Sequence, residues 1–173
     1  MKKYLVLIVS IMFNIQAFAQ KGDVVVGVNT SYGTEIKNVG FGVKAQYHFT
    51  DALRAEVSGD YFLKKDGLSL WDINLNLHYL FPLGDKIKIY PLAGVTFTNW
   101  KYDYSGFLDG VEESMKYLFD DLDSENATRF GANLGGGIQY DITNNFIINA
   151  EAKYQLISDL DQAVFTIGLA YKF

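Results

Sequence analysis

The sequence predicts an all-β fold: eight antiparallel strands closed into an up-and-down barrel with an apolar outer face and a polar lumen. Three observations carry this. The last ten residues alternate strictly, with Phe165, Ile167, Leu169, Tyr171 and Phe173 on one face and Thr166, Gly168, Ala170 and Lys172 on the other. Side chains of a strand alternate between faces, so this period makes one apolar face and one polar or small face. The same alternation recurs seven more times from about residue 23 onward. The connectors between these segments alternate between short turns and looser, longer loops.

The first strand spans about residues 23–33, with Val24, Val26, Val28, Thr30 and Tyr32 opposite Asn29 and Ser31. The second, about 39–49, sets Val39, Phe41, Val43, Ala45, Tyr47 and Phe49 against Gly40, Gly42, Lys44, Gln46 and His48. The third, about 53–63, sets Leu53, Ala55, Val57, Tyr61 and Leu63 against Arg54, Glu56, Ser58 and Asp60. The fourth, about 70–81, sets Trp71, Ile73, Leu75, Leu77, Tyr79 and Phe81 against Asp72, Asn74, Asn76 and His78. The fifth, about 86–99, contains Pro91, which removes a ladder donor and predicts a local irregularity. Its faces are Ile87, Ile89, Ala93, Val95 and Phe97 against Lys88, Tyr90, Gly94, Thr96 and Thr98. The sixth, about 128–140, sets Phe130, Ala132, Leu134, Ile138 and Tyr140 against Arg129, Asn133, Gly135, Gly137 and Gln139. The seventh, about 146–156, sets Ile148, Ala150, Ala152, Tyr154 and Leu156 against Asn149, Glu151, Lys153 and Gln155. The eighth runs over 162–173. Thr50-Asp51-Ala52, Pro82–Asp85 and 141–145 are short turns, whereas the connector at 100–127 is much longer.

The N-terminus reads as a secretory signal over residues 1–19. Lys2 and Lys3 precede an apolar run, and Ala17-Phe18-Ala19 forms a small-x-small cleavage site before Gln20. The run is too short for the roughly 20 residues of a spanning helix. Residues 20–173 then form one barrel domain. The chain has no Cys, which excludes disulfides and thiolate chemistry, and no Cys follows the signal to carry a lipid. Its formal net charge of −5 and lack of a basic run argue against nucleic acid. With no helix-length apolar stretch beyond the signal, only a closed barrel could span a membrane.

Alternation also fits a soluble barrel with an apolar interior. Three features favour lipid on the outside. Tyr47, Phe49, Tyr79, Phe81, Tyr140, Phe146, Tyr171 and Phe173 gather at the short-turn ends of the apolar face. Tyr32, Phe41, Tyr61, Trp71, Phe130 and Tyr154 gather toward the long-loop ends. Two such belts about 25 Å apart mark the two membrane interfaces. The polar face is rich in Gly, which makes room for long side chains in a narrow lumen. The final Phe173 is itself a belt residue.

With this pattern, the Tyr90-Pro91-Leu92-Ala93-Gly94-Val95 stretch and the C-terminal run, the mature chain resembles small eight-stranded outer-membrane proteins of the OmpX and OmpA-barrel type. It is similar in particular to porin-family outer-membrane β-barrel domain proteins common in Bacteroidota. The resemblance implies an outer-membrane location in a Gram-negative cell, both termini periplasmic, and partners in outer-membrane lipids and lipopolysaccharide. It also implies that Phe165, Ile167, Leu169, Tyr171 and Phe173 form the signal read by the outer-membrane assembly machinery.

Eight strands leave a lumen just wide enough for side chains. Lys44, Arg54, Glu56, Asp60, Asp72, Lys88, Arg129, Glu151 and Lys153 point into it, and buried charges persist only when paired. An ionic and hydrogen-bonded plug across the lumen is therefore expected. Across the first turn Phe49 faces Leu53 and Gln46 faces Glu56, close to Lys44. His48 and His78 lie inward near the short-turn end, separated by strand three, so no two-His metal site and no rim His/Ser pair is expected. The long loop is acidic, and Leu108, Val111, Met115, Leu118, Phe119 and Leu122 recur at helical spacing. A divalent cation at Asp120, Asp121, Asp123 and Glu125 is the weaker reading there, because the EF-hand pattern is missing. The expected function is non-enzymatic and cofactor-free: a monomeric barrel with a structural or surface-interaction role, and loop 100–127 as the surface for an extracellular partner. A narrow gated channel is the alternative, and a lipid A-modifying enzyme the more distant one.

Overall fold

The computed structural model describes residues 22–65, 67–103, 124–158 and 160–173. Nine strands occur among them: β1 (Val24–Gly33), β2 (Asn38–His48), β3 (Leu53–Lys65), β4 (Leu68–Tyr79), β5 (Phe81–Pro82), β6 (Ile87–Asp103), β7 (Ser124–Asp141), β8 (Phe146–Ile157) and β9 (Gln162–Lys172). Their order is β4-β3-β2-β1-β9-β8-β7-β6-β5, and β4 also pairs with β6, which closes the ring. Every pairing is antiparallel. First and last strands close the seam, with Val28 opposite Leu169 and Tyr32 opposite Phe165. No long strand is left with an open edge.

The two-residue β5 continues β4 after a break at Leu80, so the ring has eight walls. The break is the irregularity expected from Pro91, but it falls on the neighbouring strand. His78 pairs with Leu92 and Phe81 with Ile89, while the two residues between lack bridges. Pro91 has no N–H to offer across that gap. The Leu80 N–H turns the other way and donates to Ala52 O at 2.7 Å. Pro91 itself stays in register with Gly136 on β7.

The hairpin around the long connector extends further than expected. β6 and β7 pair from Asn99↔Thr128 out to Asp103↔Ser124. The connector therefore shrinks from 100–127 to 104–123, because no Gly or Pro stops the ladder there and Trp100 is held inside the barrel. The expected helical spacing at 108–122 lies outside the described residues.

Two of the turns at one end share a design. Thr50 Oγ1 accepts from Leu53 N at 2.9 Å, and Thr143 Oγ1 accepts from Phe146 N at 3.0 Å. A hydroxyl accepting an N–H three residues on mimics a backbone turn. At the opposite end Gly67 carries φ +80° in the tight β3–β4 turn, a conformation that favours glycine. We call these the turn end and the loop end.

The outer face is apolar, as the alternation requires. Val43, Val57, Leu75, Val95, Leu134 and Ile167 are all exposed outward. Aromatic rings pack along the belts. At the turn end Tyr47–Phe49, Tyr79–Phe81, Phe146–Tyr171 and Tyr171–Phe173 have centroids 4.9–5.2 Å apart. At the loop end Phe97 touches Trp71 and Phe130, at 5.6 and 4.9 Å. Four of these pairs are edge-to-face and two, Tyr79–Phe81 and Trp71–Phe97, are tilted; well-oriented aromatic pairs add about 0.5–1.5 kcal/mol each beyond area burial.

The lumen is not polar throughout. Ile36, Phe62, Leu70, Trp100 and Val164 form a buried apolar cluster at the loop end. All but Ile36 lie at lumen-facing positions of their strands. Gly40 faces Phe62, and a Cβ there would strike the ring, so the glycine is what lets the cap close. Smaller apolar groups, Val25–Ile147–Ala170 and Leu80–Tyr90–Leu92, lie toward the turn end.

Candidate functional site

The interior between these apolar groups is filled by buried, hydrogen-bonded polar clusters. Its hub is Glu151 on β8. Lys44 on β2 donates to Glu151 Oε1 at 3.2 Å and lies 3.6 Å from Glu56 Oε2. Gln46 Nε2 donates to Glu56 at 2.7 Å, as its cross-strand position requires. Tyr90 Oη and Asn149 Nδ2 each donate to Glu151 Oε1 at 2.8 Å. Both long reaches depend on glycine. Tyr90 crosses β7 at Gly137, where a Cβ would collide with the ring and hydroxyl. Lys44 crosses β9 at Gly168, where a Cβ would crowd its Cε and Nζ.

Arg54 connects this hub to the turn end. Its Nε donates to His78 Nδ1 at 3.0 Å and its Nη1 to Gln139 Oε1 at 2.5 Å. Its guanidinium lies 4.5 Å from the Tyr90 ring centroid, while the His78 ring is stacked on Tyr90 at 4.8 Å. Gln139 passes the chain to Asp141, which pairs with Lys88 at 2.6 Å. Above the hub the network turns to amides. Asn133 Nδ2 donates to both Asn74 and Asn76 at 2.9 Å. Gln155 Nε2 donates to Asp72, Asn74 and Thr96, and Gln155 Oε1 accepts from Gln162 Nε2 at 2.7 Å.

Seven of the nine sequence-selected charges are buried: Lys44, Arg54, Glu56, Asp60, Asp72, Glu151 and Lys153. Lys88 belongs instead to the half-exposed mouth. Arg129 departs from the expectation altogether. It is exposed and donates to Thr128 O at 3.0 Å. The reason is barrel stagger: β7 pairs with β8 only up to Gly131↔Ile157, so Arg129 stands above the last pair and turns to solvent. Phe165, Ile167, Leu169 and Tyr171 form an exposed outward row on β9, and Phe173 N closes it by donating to Val24 O at 2.9 Å. Asp120, Asp121 and Asp123 lie outside the described residues. Glu125 pairs through its backbone with Tyr102.

The two histidines do not converge. His48 lies at the mouth, 3.3 Å from Asp23 O. His78 instead joins Glu56 and Glu151, with one ligand atom of each within 4.8 Å of the others. This cluster was missed in the sequence because its members come from three strands, β3, β4 and β8. It does not suit a metal ion. The Arg54 N–H directed at His78 Nδ1 leaves the ring proton on Nε2, so that nitrogen has no lone pair to give. The Lys44 ammonium already sits against both carboxylates. Lys44 is thus the built-in cation of the hub.

At the turn end the lumen opens into clefts of about 460 and 730 Å³ that share His48, Lys88 and Lys172. At the loop end the apolar cluster lies across it. A closed eight-stranded wall, apolar outside with aromatic belts and ionic inside, defines an integral membrane β-barrel. The chain belongs to the outer membrane protein beta-barrel domain family, which it matches over residues 5–173. Among solved structures it is similar to the N-terminal β-barrel domain of Pseudomonas aeruginosa OprF. That match has TM-score 0.67 and 18% identity, and covers 88% of this chain and 99% of that one. Neisserial surface protein A matches with TM-score 0.65 at 17% identity, over 88% and 97% of the two chains. Ail, the attachment invasion locus protein of Yersinia pestis, matches with TM-score 0.60 at 19% identity, over the same shares. No curated protein matches the sequence. The fold places the protein among small outer-membrane barrels.

Proposed function

We propose that this protein is a monomeric, non-enzymatic outer-membrane barrel with a structural or surface-interaction role. The observation that carries this is the double closure of the lumen, by the Lys44–Glu56–Glu151 hub and by the Trp100 cap. In this reading residues 1–19 are removed on export, the turn end with both termini faces the periplasm, and the loop end faces out. Outer-membrane lipids and lipopolysaccharide surround the apolar wall, and the β9 row ending in Phe173 serves the assembly machinery. Lys88 and Arg129 have no part in the closure.

Of the expected loop 100–127, the part beyond the Trp100 cap is then the surface offered to an extracellular partner. Ail has been crystallised with the heparin analogue sucrose octasulfate. The acidic segment here suits a cationic partner, or one bridged by cations, better than a polysulfated one. The experiment that tests closure is conductance in planar bilayers. Rare, small openings are expected. Steady conductance typical of a water-filled porin would replace this reading with the narrow-channel alternative. That alternative draws on the turn-end clefts, which lead toward the hub from one side.

A further inference from the structure

One lumen-facing row crosses five strands: Asn29, Gly42, Asp60, Asp72 and Thr98 are successive cross-strand partners. It places two buried carboxylates, Asp60 and Asp72, directly opposite each other. Directly opposed side chains have Cβ atoms about 4.5–5.5 Å apart. Like charges so placed repel, and more strongly where water is excluded. Among the described residues no ammonium or guanidinium lies within 4.0 Å of either carboxylate. The contrast is with Glu56 and Glu151, which clamp Lys44. Lys153 attracts Asp72 through space but makes no ion pair with it. Among the described residues the buried lumen holds four carboxylates (Glu56, Asp60, Asp72, Glu151) against three cations (Lys44, Arg54, Lys153).

The row is also short of donors. Asp60 Oδ1 accepts from Asn29 Nδ2 and Ser31 Oγ, and Asp72 accepts from Asn74 and Gln155. Two more oxygens on the row, Asn29 Oδ1 and Thr98 Oγ1, have no partner among the described residues, although both side chains are over nine-tenths buried. Unmet buried acceptors beside an uncompensated charge are costly. Gly42 keeps space over the row, since a Cβ there would run into the Asp60 carboxylate.

We propose that Asp60 and Asp72 bind one hard monovalent cation of sodium size between them, with Asn29 beside Asp60 and Thr98 beside Asp72 lining the site. The donors are all oxygens, which selects hard cations over soft ones. The surplus charge is one, which a monovalent ion cancels and a divalent ion overshoots. The site is separate from the Lys44 hub and does not depend on whether the barrel conducts.

The test is thermal unfolding of the full barrel refolded in detergent, followed by loss of its heat-modifiable gel mobility. Refolding is done in sodium chloride or in choline chloride at equal concentration. The wild type is expected to unfold several degrees higher in sodium, with a saturable dependence. Asp60→Asn removes the difference, Thr98→Val shrinks it, and Lys88→Met at the mouth keeps it. Should Asp60→Asn fail to fold, Thr98→Val decides alone. Equal wild-type midpoints in the two salts would overturn the site, leaving the pair to share a proton. An unchanged sodium effect in both row variants would also overturn it. An equal effect of calcium chloride at matched ionic strength would overturn the monovalent assignment.

Discussion

The middle of the lumen and its loop end solve the same packing problem with opposite chemistry. Both are built mainly from inward side chains of the barrel strands, and β3 and β6 contribute to each. In the middle, Lys44, Glu56, Glu151 and Tyr90 are held by directed contacts, and each group depends on its partners. At the loop end Phe62, Leu70, Trp100 and Val164 need only shape. The cap loses stability in proportion to the volume removed. The hub loses it by stranding whatever was bonded to the missing group. A buried network confers geometry at the cost of fragility, and an apolar plug tolerates more.

The largest effect is expected at the hub. Glu151→Ala takes from Lys44 the nearer of its two carboxylates and removes the acceptor of Tyr90 and Asn149, and breaking a buried pair costs about 3–5 kcal/mol. Urea titration of the barrel in lipid vesicles measures it. A loss under about 1 kcal/mol, the range of an exposed pair, would remove Glu151 from the centre of the network. Trp100→Ala follows, at about 3–4 kcal/mol within the range for large-to-small aromatic changes. It should also differ in kind: Trp100→Phe recovers most of the loss, whereas Glu151→Gln recovers less because Lys44 then has only the longer 3.6 Å contact with Glu56 as counter-charge. Similar rescue at both positions would erase the distinction between the two regions.

The outer wall supplies the next step down. Leu75 faces outward, so Leu75→Arg is expected to cost about 2–4 kcal/mol near mid-bilayer. The cost should vanish in a detergent that lets the side chain reach water. The smallest effect is expected at the mouth. Lys88→Met breaks the 2.6 Å pair with Asp141, but both side chains are partly exposed, at 31% and 23%. Such pairs are worth under about 1 kcal/mol. A larger loss would mean that the network extends to the rim as a unit.

Much of this architecture was legible as alternation. Leu75 and Asn74 are assigned to opposite faces by parity alone, and the short turns at 50–52 and 141–145 set the hairpin order. The Gln46–Glu56 contact could be read by counting back from the turn. The sequence could not place Arg129, whose parity is right and whose height is wrong, because strand stagger is a property of the closed sheet. Nor could it show Trp100 as a cap residue, because its lumen position depends on β6 extending past Asn99.

Alternation by itself thus determined which face of each strand meets lipid and which meets the lumen, since a strand has only two faces. Tertiary structure alone decided which inward residues meet. Tyr90 reaches Glu151 across Gly137, and Lys44 reaches it across Gly168, because barrel closure brings β2, β6 and β8 within one side chain's length. No spacing along the chain encodes such a meeting, because it depends on the radius and stagger of a ring that exists only once β1 has paired with β9.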